Sequence, residues 1–262
     1  MVQTTIEGFS RELLARIEDA GLNASAPSQQ RLVDGWLLRF SPGKAKRARC
    51  INPIAAGVLP VEQKLALCQP VFDEAGLPML VRITPFSLPC ELDVLLAQRG
   101  MRRIDDTRVM VRTDLAEAQP APLPSGLTLS TIGHEAFAQA VGTLRGSPLS
   151  QRQAHGQRLA NSPVPFFGQV LKRDGEVVAC GQVAIEDSLV GLYDVFTASS
   201  ARGHGLARWL CARLIADAVT RGATTAYLQV ESDNAPARAV YQRLGFSDAY
   251  AYHYRTPHPT AA

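Results

Sequence analysis

The fold is decided by the stretch S-S-A-R-G-H-G-L-A-R-W-L, residues 199–210. Arg202 is followed by two glycines that flank His204, and an apolar run at helical spacing comes directly afterwards. The first turn of a helix has backbone N–H groups without intrahelical partners, and its dipole places partial positive charge there. Since glycine has no Cβ to hold a ligand away, the pattern predicts a phosphate cradle at the start of a helix.

A G-x-G pattern alone also fits a tight strand-to-helix connection. The sequence has neither the G-K-[ST] of a P-loop nor the third glycine of a dinucleotide-binding fingerprint. The interpretation is strengthened by a second motif, N-A-P-A-R-A-V-Y-Q-R-L-G-F at residues 234–246. This motif predicts a short helix, with asparagine at the capping position and proline in the first turn.

Strand and helix patterns alternate after residue 126. Apolar and β-branched runs predict strands at 127–132, at three places within 165–197, at 224–230 and at 249–255. Helical periodicity predicts helices at 134–146, 147–161, 206–222 and 234–246. Hairpin turns are expected at Asp174-Gly175 and at residues 186–188. This order implies a mixed sheet covered by helices on both faces.

The first half of the chain repeats part of this pattern. Residues 75–101 and 221–246 both run glycine, strand, polar turn with proline, helix, glycine and a large apolar residue. We interpret the likeness as a divergent internal duplication, although any two strand–helix–strand units share this outline. The proline-rich stretch at 116–126 is the expected linker. The predicted domains are therefore 1–115 and 127–262.

Composition excludes several classes of protein. The 262 residues are 46% hydrophobic and 19% charged with a formal net charge of +3, which is ordinary for a globular protein. The five cysteines form no C-x-x-C pair, so neither a disulfide framework nor a metal site is expected, and a cytoplasmic setting is. The sequence shows neither a signal-peptide pattern nor an apolar run of about 18 residues, so no membrane association is expected.

The two motifs resemble those of the GNAT superfamily, the GCN5-related N-acetyltransferases. The superfamily's R/Q-x-x-G-x-G/A motif is met at 201–207 in an R-G-x-G-x-A form, and its later N-x-x-A-x-x-x-Y-x-x-x-G-F motif is met at 234–246. The resemblance spans about residues 127–256. It implies an α/β fold of the α+β type, with a mixed sheet that is mostly antiparallel. The fourth and fifth strands of this sheet splay apart. The pantetheine arm of acetyl-CoA would lie in the gap.

Roles for individual residues follow from this resemblance. The backbone of three residues at a strand end would bind pantetheine: Val195, Phe196 and Thr197. Five N–H groups would hold the pyrophosphate: those of Gly203, His204, Gly205, Leu206 and Ala207. Arg202 would add charge or brace the loop, and the side chain of His204 is not expected to matter. Asn234 would touch pantetheine or cap its helix, and Tyr241 would stand near the thioester sulfur.

Acetyl transfer to an amine needs a base, an oxyanion donor and an acid for the leaving thiolate. The candidate bases are Asp194 and Glu231, and Glu186 lies further away at a hairpin turn. Either carboxylate could instead be an ordinary solvated or hydrogen-bonded residue. The N–H of Val195 is the expected oxyanion donor. Tyr241 is the expected general acid, unless it is only an aromatic residue of the core.

The first half resembles the amino-terminal lobe of two-lobed bacterial GNAT proteins in which one copy has decayed. Its stretch N-P-I-A-A-G-V-L-P-V-E-Q, residues 52–63, has one glycine and a proline in place of a glycine-rich cradle. This lobe is therefore not expected to hold acetyl-CoA in the usual way. A hairpin is expected across 41–46, and the basic run at 44–49 is interpreted as its solvated tip, which makes nucleic acid an unlikely partner.

The leading hypothesis is an acetyl-CoA-dependent N-acetyltransferase (EC 2.3.1.-) acting on an amine of a small molecule, peptide or protein. An enzyme that uses another acyl donor or a thiol-linked acceptor is an alternative; mycothiol synthase, for example, is also two-lobed, but nothing in the sequence selects its substrate. A non-catalytic acyl-CoA sensor, which would keep the loop and need neither the base nor Tyr241, is another alternative. Acetyl-CoA and an amine acceptor are the expected partners, and assembly into a homodimer is left open.

Overall fold

The computed structural model describes residues 5–6, 8–41, 45–116 and 122–257. It contains seven α-helices in these ranges: α1 (Arg11–Ala24), α2 (Val61–Glu74), α3 (Leu92–Gln98), α4 (His134–Leu144), α5 (Leu149–Ala160), α6 (Leu206–Val219) and α7 (Ala235–Arg243). The strands are β1 (Thr5–Ile6), β2 (Phe9–Ser10), β3 (Gln30–Val33), β4 (Trp36–Arg39), β5 (Ile51–Pro53), β6 (Val81–Ile83), β7 (Arg102–Thr113), β8 (Thr128–Ile132), β9 (Phe166–Arg173), β10 (Glu176–Glu186), β11 (Leu189–Thr197), β12 (Thr225–Glu231) and β13 (Ser247–Thr256).

The chain divides into two compact units. Unit 1 comprises the described residues up to Ala24 together with Val109–Val230 and Asn234–Ala249. Unit 2 comprises Ser25–Arg108, Glu231–Asp233 and the described residues from Tyr250 onward. These units differ from the domains expected at 1–115 and 127–262, because α1 belongs to unit 1 and the end of β13 to unit 2. Part of the expected linker, 117–121, lies outside the described residues.

Unit 1 contains a mixed sheet in the order β8-β9-β10-β11-β12. The first four strands are antiparallel, whereas β11 and β12 run parallel. The β9–β10 turn has positive φ at Asp174 and Gly175, the geometry of a tight hairpin turn, and Asp187 in the β10–β11 turn has a φ of 52°. Both turns are where the sequence predicts them.

Helices cover both faces of this sheet. A Cβ on Gly168 of β9 would collide with Phe137 of α4, and a Cβ on Gly181 of β10 would lie 3.0 Å from Leu214 of α6. Gly168 is paired with the residue after Gly181, so the two glycines face opposite sides of the sheet. One core therefore lies under α6, around Leu210 and Leu214, and another under α4. The expected mixed α/β fold is confirmed.

Unit 2 repeats the pattern with shorter strands. Its strands follow the order β3-β4-β5-β6-β13, and here too one neighbouring pair, β5 and β6, is parallel. The buried side chains of Trp36, Phe72 and Leu92 belong to its core. The expected hairpin is present, because β4 pairs antiparallel with β5, but residues 42–44 of its predicted tip, including Lys44, lie outside the described residues.

The two repeats of the chain exchange their last strands. Both halves of the chain contain the order strand, strand, helix, strand, helix, strand, as β4-β5-α2-β6-α3-β7 and as β10-β11-α6-β12-α7-β13. In unit 2, however, β6 pairs with β13, with His253 opposite Ile83. The strand beside β12 is β7. Each repeat thus closes the other repeat's strand array with its own final strand.

Candidate functional site

A gap opens between the parallel strands β11 and β12 of unit 1. Their paired register runs from Leu189 opposite Thr225 to Leu192 opposite Leu228. Beyond that point β11 continues to Thr197 and β12 to Glu231, but the two strands no longer pair with each other. The last residues of β11 remain paired with β10, Phe196 opposite Cys180 and Thr197 opposite Ala179. The edge of β11 at Val195, Phe196 and Thr197 that faces away from β10 therefore pairs with no described strand, and the only hydrogen bond found there joins the Thr197 carbonyl to Arg202.

A β-bulge marks the start of the gap. Tyr193 is opposite Gln182 and Phe196 is opposite Cys180, so Asp194 and Val195 together oppose Gly181 alone. Asp194 has a φ of 51°, an uncommon conformation for a residue other than glycine. An added Cβ on Gly181 would lie 3.4 Å from the Val195 side chain, so this glycine lets the bulge sit close to β10. The bulge reorients the backbone of β11 where the strands separate.

The glycine-containing loop joins β11 to α6. Gly203 and Gly205 have φ values of 80° and 74°, in the left-handed region that favours glycine. A Cβ at either position would meet no protein atom within 4 Å, so the space in front of both residues is open. His204 is exposed and its Nδ1 lies 2.8 Å from the carbonyl oxygen of Arg202. The loop thus presents bare backbone to solvent.

The start of α6 has a run of backbone donors without acceptors. The first hydrogen bond of this helix joins the Trp209 N–H to the Gly205 carbonyl at 3.0 Å. Within the described ranges, the N–H groups of residues 203–208 donate to no carbonyl or side chain. These amides stand at the positive end of the helix dipole, which is the arrangement that binds phosphate groups. The run contains all five amides that the motif predicts.

Arg202 braces this loop. Its Nε donates to the Thr197 carbonyl at 3.3 Å, and its guanidinium lies 5.7 Å from the centre of the Phe196 ring. The loop is thereby held against the end of β11. Of the two roles expected for Arg202, the structure displays the bracing one.

The second motif forms α7. The side-chain oxygen of Asn234 accepts a hydrogen bond from the Ala237 N–H at 3.2 Å, so Asn234 caps the helix, one of the two roles expected for it. Tyr241 packs edge-on against Phe246, with ring centres 6.1 Å apart. No described residue hydrogen-bonds its hydroxyl. Burial raises the pKa of Tyr241, with a smaller contribution from Cys211 of α6, so the phenol stays protonated well into the alkaline range.

Asp194 is held by partners that make it a poor base. Its Oδ1 accepts from Arg145 Nη1 at 2.8 Å, its Oδ2 accepts from Gln182 Nε2 at 2.7 Å, and His155 Nε2 lies 3.3 Å from Oδ2. Burial opposes the charge, but His155 and Arg145 overcome it and hold the pKa of Asp194 far below its usual range. A carboxylate this weakly basic does not deprotonate an ammonium group, so the structure argues against the role expected for Asp194.

The other candidate carboxylates are at the end of β12 and at the β10–β11 turn. Glu231 is the last residue of β12, is exposed, and has no ion-pair partner among the described residues. Its segment, Glu231–Asp233, belongs to unit 2. Glu186, at the β10–β11 turn, accepts from Asn23 Nδ2 at 3.1 Å and is thus engaged with α1.

The contacts of Asp194 are the part of the site that sequence reasoning missed. Arg145 directly follows α4, and His155 lies on α5, 39 positions before Asp194 in the chain. No motif joins these residues, and only the bulge brings the carboxylate to face them. Among the residues that the structure describes, no group of three or more His, Cys, Asp or Glu side chains could hold a metal ion.

The corresponding place in unit 2 is filled by the chain itself. Before α2, the N–H groups of Val58 and Leu59 donate to the Asp34 carboxylate, the latter at 2.8 Å. A Cβ on Gly57 would collide with Asp34, so the turn closes tightly on this side chain. No helix in the described part of the chain is long and apolar enough to cross a membrane.

Comparison with known proteins places these features in a family. Residues 14–255 match the family described as "Probable histone acetyltransferase Rv0428c C-terminal". The chain is 26% identical over 239 residues to the uncharacterized N-acetyltransferase YobR of Bacillus subtilis (strain 168), which covers 86% of this chain and 91% of that protein.

Two solved structures show the same fold. A GCN5-related N-acetyltransferase from Kribbella flavida aligns with a TM-score of 0.68 at 19% identity, over 94% of this chain and 96% of that one. A tandem GNAT protein from the clavulanic acid biosynthesis pathway aligns with a TM-score of 0.63 at 14% identity, over 81% of this chain and 76% of that one.

Proposed function

Because this chain belongs to the GNAT superfamily of N-acetyltransferases, in the family described as probable histone acetyltransferase Rv0428c C-terminal, we propose that it transfers an acetyl group from acetyl-CoA to an amine. The observation that carries the proposal is the run of free amides at residues 203–208, in front of which neither Gly203 nor Gly205 presents a side chain. Amides in this arrangement suit the pyrophosphate of coenzyme A.

The free edge of β11 supports the remainder of the binding mode. Pantetheine carries amide groups, which can pair with an unpaired strand edge as an added strand would. Val195, Phe196 and Thr197 supply that edge, and Arg202 fixes its distance from the glycine loop. The acetyl thioester would then lie near the bulge, where the Val195 N–H is the proposed oxyanion donor.

Tyr241 is proposed as the general acid. Its raised pKa keeps the phenol protonated at neutral pH, and its hydroxyl has no competing partner among the described residues. A protonated phenol beside the departing sulfur donates a hydrogen bond, and then its proton, to the charge that develops there, which lowers the barrier to expulsion. An acyl-CoA sensor would need the cradle and would not need this phenol.

Binding and turnover can be measured separately. We expect calorimetric titration with CoA to show binding that is weakened by salt, because the pyrophosphate contact is electrostatic. We expect thiol release from acetyl-CoA to rise when amines are added in a panel. Absence of CoA binding would refute the proposal outright. Binding without acetyl transfer to any amine, together with a Tyr241→Phe variant that behaves like wild type, would favour the sensor instead.

A further inference from the structure

A histidine of unit 1 lies beside the residue that precedes the proposed oxyanion donor. His155, on α5, approaches Asp194 of β11 with its Nε2 at 3.3 Å from Oδ2. Asp194 is followed directly by Val195, at the bulge where the gap begins. The imidazole thus contacts the carboxylate of the residue that directly precedes Val195, the backbone position at which the thioester carbonyl is proposed to bind.

We propose that His155 is the general base that takes a proton from the acceptor amine, and that Asp194 is the positioning residue that orients its imidazole. This inference rests on the proposed function and names the base that the reaction requires. The sequence suggested Asp194 for the role of the base. The proposal assigns this role to the histidine that Asp194 contacts.

The charge state of Asp194 determines which ring nitrogen can act. An ionised carboxylate accepts hydrogen bonds and donates none. Arg145 and Gln182 already donate to its two oxygens at 2.8 and 2.7 Å. The nitrogen of His155 that faces this anion is therefore favoured as N–H, although the 3.3 Å contact is longer and less aligned than the other two. That tautomer leaves the lone pair on Nδ1.

The two ring nitrogens of His155 differ in exposure in the way that a general base at Nδ1 requires. Nε2 is buried against Asp194, whereas the side chain as a whole is 19% exposed. Nδ1 forms no hydrogen bond with a described residue, and unlike Nε2 it is not buried, so it reaches the surface. The nitrogen with the free lone pair is therefore the one that faces solvent.

Several charged and titratable groups surround Asp194, the carboxylate that the imidazole contacts. Asp194 of β11 is the anion, Arg145 at the end of α4 and Arg158 of α5 are the cations, and Cys180 of β10 is a thiol. Burial raises the pKa of the Cys180 thiol to about 12, so it stays neutral. Since the two arginines also engage Asp194 electrostatically, the carboxylate stays ionised.

The proton balance of the step is complete. His155 Nδ1 takes one proton from the ammonium group of the acceptor and later releases it to solvent. The neutral nitrogen forms the C–N bond, the C–S bond breaks, and the Tyr241 hydroxyl gives its proton to the leaving thiolate. The second proton leaving the nitrogen passes to solvent, from which Tyr241 is reprotonated. The net products are the amide, CoA thiol and one proton.

The first test needs no acceptor. Two-bond ¹H–¹⁵N correlation spectra of histidine-labelled protein, with His155 assigned by comparison with His155→Gln, report which ring nitrogen carries the proton. We expect the Nε2–H tautomer in wild type and loss of this preference in Asp194→Asn. An Nδ1–H tautomer at His155 in the wild-type protein would overturn the proposal.

The second test measures thiol release from acetyl-CoA with two probe amines. Butylamine is protonated at neutral pH and needs a base, whereas hydroxylamine is already neutral. We expect His155→Gln to lower kcat/KM for butylamine about 10²-fold or more. Hydroxylamine should lose much less, acetyl-CoA affinity should not change, and the pH profile for butylamine should change shape. His134→Gln, on α4, is the matched control that should retain both rates.

The outcomes separate the two proposals. An active wild type whose His155→Gln variant keeps its butylamine rate and pH profile would refute the base while the acetyltransferase function stands. A wild type that binds no acetyl-CoA and acetylates neither amine would refute the proposed function and the base with it. Equal losses for both amines would assign His155 a structural role and would also overturn the proposal.

Discussion

The carboxylate of Asp34 lies 3.0 Å from the Nζ of Lys64, a side chain with no solvent exposure. The same ammonium donates to the carbonyl oxygens of Asp34, at 2.9 Å, and of Ala56. Hydrogen bonds from the Val58 and Leu59 amides lower the pKa of Asp34, so the carboxylate is ionised at neutral pH. In unit 2 a side chain of the protein therefore takes the helix-start position that is open in unit 1.

Loss of the Asp34 carboxylate should destabilise unit 2. In Asp34→Asn the buried Lys64 ammonium keeps its carbonyl partners and loses its counter-ion, so we expect a lower midpoint of urea unfolding. Lys64→Met in the same background should restore part of that loss, since no unpaired cation then remains buried. Equal midpoints for wild type and Asp34→Asn, measured by circular dichroism, would show that the ion pair contributes nothing to stability.

The internal carboxylate also predicts the stoichiometry of ligand binding. We expect titration calorimetry to give one CoA bound per chain, because the amides before α2 are engaged by Asp34 and those before α6 are free. Two equivalents of CoA would contradict this. Repeating the titration with Asp34→Asn distinguishes a site blocked by charge from one that lacks the loop shape for the ligand.

Gly205→Ala should weaken CoA binding beyond what its backbone strain explains. A left-handed conformation costs an L-residue about 1–2 kcal/mol, and the new methyl group would occupy open space beside the loop that is proposed to hold the pyrophosphate. Gly126→Ala is the matched control, because Gly126 has the same φ of 74° and equally open space. Both variants should lose similar stability by thermal unfolding. Equal CoA affinity in the two would refute the cradle.

Tyr241→Phe should reduce turnover and leave affinity intact. Removal of a general acid typically costs about 10²–10⁴-fold in rate, while the ring and its packing against Phe246 remain. Tyr254→Phe, which removes the hydroxyl of a buried tyrosine in unit 2, is the control and should keep its activity. Because the pKa of Tyr241 is raised, wild-type kcat should show no alkaline loss from this group below about pH 10.

Asp194→Asn should remove an acid-dependent part of the stability. The folded pKa of Asp194 is depressed, so its contribution is present above the ordinary carboxyl pKa of about 3.9 and is lost as the pH falls below that value. At neutral pH we expect a loss of about 1–2 kcal/mol in the free energy of unfolding, because Arg145 loses a partly buried counter-ion that it hydrogen-bonds. The difference from wild type should shrink between about pH 5 and pH 2 in urea titrations. A difference that stays constant with pH would assign the loss to packing.

Local chemistry explains which features could be predicted. The strand and helix positions of unit 1 follow from apolar periodicity, and the free amides before α6 follow from the glycines that interrupt it. The cap formed by Asn234 depends on residues three positions apart and was within reach of sequence reasoning. The mixed fold was predictable for the same reason, since each unit is built from short strand–helix connections.

Features that depend on distant contacts were not predictable. The partners of Asp194 come from α4, α5 and β10, and they meet it only because a bulge turns one residue of β11. Asp34 and Leu59 are likewise brought together by the β3–β4 turn and the loop before α2, which share no motif. Helical or strand periodicity in the sequence does not predict such contacts between distant residues.

The exchange of β7 and β13 bears on how the chain can be divided. A cut near residue 124 would leave each fragment holding the closing strand of the other's array, since β13 pairs with β6 and β7 lies beside β12. Either piece alone would carry an unpaired strand edge, which favours aggregation. Mixed together, the pieces should reconstitute a folded protein, so fragment complementation, rather than independent expression of the two halves, is the behaviour that this topology imposes.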